Sequence, residues 1–207
     1  MTRGKSLYLV AGILAAFIAQ AAVDPQTVAS RLVDRCIEYY KRGDLARATA
    51  ELRKALKILP NDSQIHFMLG NALYRSGDMR GAAESYHGSL ALRPNHIEAR
   101  MSRGFTLFEI GDYSEATAEW EQAVKLDPHE PFARAGLAVG LYKLGRLDQA
   151  GLQYCIAMAI DGRYADPDAL AIDIRWTAKS REVLKQLISR NGSQPCPPRE
   201  ELIEKQF

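Results

Sequence analysis

Between residues 29 and 164, apolar side chains recur at three- and four-residue intervals, and the pattern is broken at regular points by a glycine and a polar residue. Leu69, Leu73 and Tyr74 precede Gly77, and Ala82, Tyr86, Ser89 and Leu90 follow it. Such spacing gathers the apolar positions on one helical face, so it predicts two amphipathic helices around a tight turn. The breaks at Gly43, Gly77, Gly111 and Gly145 are 34 residues apart, each followed by a polar residue and then Leu45, Met79, Tyr113 or Leu147. Ala48, Ala82, Ala116 and Ala150 recur at the same period; Pro60, Pro94 and Pro128 close the first three units and Gly162 the fourth. Glycine accepts the left-handed backbone that ends a helix, alanine lets paired helices approach, and proline stops the second helix. A lone hairpin cannot bury its apolar face. Four in succession therefore predict an all-α fold, an α-solenoid of four helical hairpins over residues 29–164.

The flanks have their own punctuation. Residues 22–28 lead into the first helix, with Asp24-Pro25 supplying an N-cap and a good first helical residue. At the other end, Pro167 to Ile174 predicts a short helix, Trp176 sits at a joint, and Thr177 caps a second helix reaching about Ser189. Residues 165–190 are expected to form a degenerate repeat or C-terminal capping helical segment. Residues 191–207, broken by Gly192, Pro195, Pro197 and Pro198, are expected to be a mobile tail.

Composition adds little to the fold and more to the address. The 207 residues are 47% apolar and 25% charged, an ordinary globular balance. Arg3 and Lys5, the uncharged run Leu7 to Ala19 and the small residues of Ala19-Gln20-Ala21 have the three-part grammar of a secretory signal peptide over residues 1–21. The run is shorter than the roughly 20 residues that span a bilayer. Cleavage and export, to a periplasm or outside the cell, is the expectation, with retention as an N-terminal membrane anchor the alternative. Without Arg3 and Lys5, the 27 basic residues fall to 25 against 25 acidic ones. A nucleic-acid partner is not expected from that balance.

Candidate chemistry is sparse. His66, His87, His96 and His129 share no ligand spacing with one another or with a cysteine. His129-Glu130 opens like a zinc-protease helix, but Ala133 stands where the second histidine is required. The glycines recur singly and form no phosphate loop, and no serine sits in a nucleophile elbow. Neither metal, cofactor, small-molecule substrate nor enzymatic activity is expected. Cys36 and Cys155 fall in the first and fourth hairpins, too far apart to bond, and the roles of Cys36, Cys155 and Cys196 stay open.

The chain resembles the tetratricopeptide repeat family, on Leu69-Gly70 and Leu73, the pairs Gly43-Asp44, Gly77-Asp78 and Gly111-Asp112, the four alanines, Leu52, Tyr86, Trp120 and Tyr154, and the prolines. His66, Arg100 and Arg134 depart from it where a large apolar residue is usual, as does Arg103 at a common leucine; these arginines are expected to lay their stems on the helix seam and keep their charges wet, with a buried ion pair or an anion site as the alternative. The resemblance implies that the first helix of each hairpin lines a concave groove holding a partner segment. By register that groove presents Tyr40, Phe67, Asn71, Tyr74, Met101, Phe105, Phe108, Val139 and Tyr142, beside Val33 and Ile37. An aromatic ladder of Tyr40, Tyr74, Phe108 and Tyr142 serves either a partner or packing between first helices. The apolar bias at Ile37, Met101, Phe105 and Val139 favours an apolar peptide or helix over a C-terminal carboxylate. The expected function is a non-enzymatic adaptor or scaffold binding a protein segment, with Tyr74, Phe105 and Phe108 as central anchors and the partner an envelope or secreted protein met during complex assembly. A self-assembling structural module and a membrane-anchored assembly factor are the alternatives.

Overall fold

A computed structural model describes residues 24–173, 175–191 and 196–204. The signal segment expected at 1–21 lies outside the described residues. The chain divides into two compact units at the junction of Asn61 and Asp62.

The first unit is one hairpin of α1 (Pro25–Lys41) and α2 (Leu45–Ile58). Asp24 caps α1 by accepting the Thr27 N–H at 3.1 Å, and Pro25 occupies the first turn, where its missing donor costs nothing. The hairpin closes on Ala29, Leu32 and Cys36 against Ala48, Leu52 and Ala55, all buried. Glu51 binds both Arg35, at 2.7 Å, and Lys54, at 2.8 Å. Burial and the neighbouring Glu51 carboxylate push the Cys36 thiol up to about 11, so it stays an unreactive thiol.

The second unit stacks three hairpins: α3 (Ser63–Ser76) with α4 (Met79–Leu92), α5 (Ile97–Ile110) with α6 (Tyr113–Leu126), and α7 (Pro131–Lys143) with α8 (Leu147–Ile160). Every described element is helical, and the all-α solenoid expected from the sequence is the architecture found. The four turn glycines have φ between +75° and +101°, a backbone that glycine alone adopts freely. The aspartate after each of the first three caps the next helix; Asp78, for example, accepts from Gly81 N–H at 3.0 Å. Arg146 replaces it in the fourth turn and makes no such bond.

The core of this unit centres on Trp120, fully buried between two glycines. A Cβ at Gly104 in α5 or at Gly136 in α7 would stand 2.6 Å from its indole ring. Glycine is therefore needed there for close approach and not for its backbone freedom.

The expectation of solvated arginines fails. Arg100 and Arg103 both bind Glu119, Arg103 also binds Glu115, and the Arg103 side chain is 10% exposed. Arg134 is almost fully buried, donating to Pro128 O at 3.0 Å and to Gln153 at 2.8 Å. Arg100 likewise donates to Pro94 O, at 2.9 Å, one repeat earlier. A guanidinium carries enough donors to tie a helix start to the turn before it while still meeting a side chain across the hairpin.

Beyond α8 the chain departs from expectation twice. In place of a helix from Pro167 to Ile174 it makes two short 3-10 turns, Gly162–Ala165 and Ala169–Ile172, before α9 (Ala178–Asn191). In place of a mobile tail, Cys196 forms a disulfide with Cys155 of α8, Cα atoms 5.5 Å apart, and α10 (Arg199–Glu204) buries Leu202 beside Ile156. The sequence left the cysteine roles open, because only the fold brings α8 and the tail together. Among the described residues, no helix is long and apolar enough to cross a membrane and no cluster of His, Cys, Asp or Glu could hold a metal ion.

Candidate functional site

The first helices carry the nine residues assigned to the groove, and exposure changes sharply along one rung. Ile37, Asn71, Phe105 and Val139 occupy equivalent positions 34 residues apart. Ile37 is 39% exposed and Asn71 half-buried, whereas Phe105 and Val139 are at 0%. In the next rung Tyr40 is half-buried in the first unit; in the second unit Tyr74 and Phe108 are buried and Tyr142 half-buried. Met101 is buried and Phe67 half-buried.

The cover over α5 and α7 is the chain's own segment between α8 and α9. Trp176 inserts its indole among three aromatics, with centroids 4.9 Å from Phe105, 5.6 Å from Phe132 and 6.0 Å from Tyr164, all edge to face. The Arg175 guanidinium lies 3.7 Å over the Phe132 ring. Thr177 donates to the Glu109 carboxylate at 2.6 Å. Lys179 donates to Phe108 O at 2.8 Å and Glu109 O at 3.1 Å, carbonyls of the last turn of α5, where the helix dipole favours a cation. Its ammonium also stands 5.0 Å from the Phe108 ring centroid and 5.2 Å from that of Tyr113.

Two electrostatic shifts mark the same ground. Burial, then the Glu109 and Asp173 carboxylates, push the Tyr74 hydroxyl up to about 12, so it stays a neutral donor beside them. Burial opposes ionisation of Asp173, but hydrogen bonds from the side chain and backbone of Arg175 outweigh it and hold its carboxyl below the ordinary range. An open cleft of about 730 Å³ remains under the segment, with Phe132, Tyr164 and Trp176 on its apolar side and Glu130, Asp173 and Arg175 on its polar side.

The expectation that Tyr74, Phe105 and Phe108 anchor a partner is therefore corrected: all three are buried, and Trp176 and Lys179 already occupy Phe105 and Phe108. Met101 and Val139 are buried in the same core as Phe105 and Phe108, with Tyr142 packed against it, whereas Phe67 and Asn71 have other neighbours. Phe67 packs on His96, with centroids 4.7 Å apart, and on Tyr86, while Asn71 accepts from the Tyr86 hydroxyl at 2.8 Å. Sequence reasoning missed Arg175, Thr177 and Lys179. The available signal was a tryptophan flanked by cations at the joint between two expected helices.

Comparison with known proteins follows the same outline. A family model described as TPR repeat matches residues 38–77, and one described as tetratricopeptide repeat matches residues 101–168. No curated protein shows significant sequence similarity to the chain. Among solved structures, MamA from Desulfovibrio magneticus RS-1 is 22% identical over 84% of this chain and 99% of its own, with a TM-score of 0.63. YrrB, described as a TPR protein with an unusual peptide-binding site, is 18% identical over 90% of this chain and 100% of its own, with a TM-score of 0.61. The first TPR of Spaghetti (RPAP3), solved bound to the HSP90 peptide SRMEEVD, is 22% identical over 60% of this chain and 98% of its own, with a TM-score of 0.56. With repeat period, turn chemistry and hairpin stacking in agreement, the chain belongs to the tetratricopeptide repeat family.

Proposed function

We propose that the protein is a non-enzymatic adaptor that holds a segment of another protein on the first-helix faces its own chain leaves open. One observation carries this reading. Equivalent positions of the repeats differ in exposure: in the second unit Phe105 is buried under a polypeptide segment, and in the first unit Ile37 is exposed. An exposed isoleucine flanked by Val33 and Tyr40 offers apolar area that a partner residue gains by covering. The peptide complexes of Spaghetti and the peptide site of YrrB support the same use of the fold.

We place the partner in the envelope or outside the cell, as a component of a larger assembly. The signal-like segment at 1–21 supports this, as does the Cys155–Cys196 disulfide, since such bonds persist in oxidising compartments. A photoreactive residue at position 37 or 67 of the native protein, followed by mass spectrometry, tests the reading. One dominant partner captured at position 37 or at position 67, and not at exposed His87 on α4, is expected. Equal capture at all three positions, or capture of the protein itself alone, overturns it.

A further inference from the structure

The inner face of α5 and α7 is occupied, and its occupant states what the face recognises. Helix α9 stacks on α7 and α8 as a capping helix does. The segment of residues 175–179 that leads into and opens it packs on α7 and also reaches the end of α5. It does so through Trp176 on Phe105, Thr177 on Glu109 and Lys179 on the carbonyls of Phe108 and Glu109. These are the contacts of an anchored peptide: one aromatic in a pocket, a cation stacked beside it, and a second cation at a helix terminus.

The fit is incomplete in two ways. The Trp176 indole N–H is buried without a hydrogen-bond partner, although a buried tryptophan usually finds one. The cleft between the segment and Phe132 is left unfilled. What holds the segment in place is also its tether: α8 carries its leading end, and the Cys155–Cys196 disulfide returns the following chain to the same helix. A short tether raises the local concentration of a ligand to roughly the millimolar range, which offsets imperfect contacts.

We propose that residues 175–179 are a ligand in cis, so that this face is autoinhibited. Its partner in trans is a protein segment bearing a tryptophan preceded by an arginine and followed three residues later by a lysine, which must displace Trp176 to bind. The proposal deepens the adaptor reading and rests on it, by assigning the covered face a partner class and a mode of control.

The test is fluorescence anisotropy of a labelled peptide of residues 171–182, titrated into the full-length oxidised protein. Three forms are compared: wild type, Trp176→Ala, and a milder Thr177→Val/Lys179→Met double variant that keeps the indole in place. Both variants are expected to bind the peptide at least tenfold more tightly than wild type, and a peptide with alanine at its tryptophan is expected not to bind. Should Trp176→Ala lose helicity, the double variant decides alone. Equal affinity for wild type and variants, or no binding to a variant of wild-type helicity, overturns the proposal. So does dimerisation of the variants without peptide, since the occupant would then be a second copy. No native partner is needed, so failure here is distinct from failure of the capture experiment at positions 37 and 67.

Discussion

Trp176 meets Phe105 edge to face at 4.9 Å, joining the irregular segment after the last hairpin to the first helix of the third. Neither ring reaches solvent appreciably, so the contact decides both what the C-terminal segment does and what the third repeat can still bind.

Truncating that indole should be costly. Trp176→Ala is expected to lower stability by about 3 kcal/mol, the lower end for large aromatic truncations, because the irregular segment relaxes more easily than a helix core. Urea unfolding followed by circular dichroism checks this, with the pretransition helical signal of the repeats expected to stay near wild type.

The two tryptophans report on different places. Trp120 is fully buried in the core and Trp176 lies under the segment, and the chain has 2 tryptophans in all. Release of the segment should red-shift only the Trp176 part of the emission. A Trp120→Phe variant isolates it; an emission maximum unmoved by mild denaturant until global unfolding would count against separate opening of the segment.

Replacing glycine by alanine inside a helix ordinarily gains close to 1 kcal/mol. At Gly104 and Gly136 the sign should reverse. The added methyl would stand 2.6 Å from the Trp120 ring, which is buried and has no room to withdraw, so each change is expected to cost about 2 kcal/mol. Gly162→Ala, where no heavy atom lies within 4 Å, is the control and should be neutral or slightly stabilising. Thermal melts of the three variants give the comparison.

Buried His96 should make the second unit acid-sensitive. Its Nδ1 lies 3.1 Å from Ser89 Oγ and its ring packs on Phe67. Burial, then nearby Arg93, lower its pKa below the usual 6.5, and Glu98 opposes them weakly. The folded state thus binds the proton less readily than the unfolded chain. The neutral ring's full contribution is present above pH 6.5 and declines as pH falls from there toward the folded pKa. Urea midpoints of wild type should drop between pH 7 and 5.5 more than those of His96→Asn; parallel pH profiles would remove His96 from the account.

Replacing Cys155 and Cys196 by serine opens a loop spanning a sequence separation of 41. Loop-closure entropy puts the loss at about 4 kcal/mol on the chain-entropy view. Hydrogen exchange should show it first in α10 and α9, with α5 to α7 changed least.

Much of the fold was legible because its causes are local and repeated. A glycine at positive φ, an aspartate cap and a small alanine recur at one period, so hairpin boundaries such as Gly77 and Met79 follow from single residues. The covered face was not legible, because its cause is long-range: nothing near Phe105 announces Trp176, and the short helix expected from Pro167 gives way to two 3-10 turns. The arginines misled for a related reason. Arg134 looks like a surface residue in sequence, and only the fold places Pro128 O and Gln153 where they satisfy it. The disulfide is the same case, a pairing that no spacing could specify.

The closure of residues 156–195 between bonded cysteines has one more consequence. A stretch joined to α8 at both limits has no free end, so a single proteolytic nick within it sheds nothing; both products stay on one covalent molecule until the sulfurs are reduced. Digestion would therefore look like resistance on a non-reducing gel and like cleavage on a reducing one, and a nicked protein could carry an altered Trp176 segment while keeping its mass to within one added water.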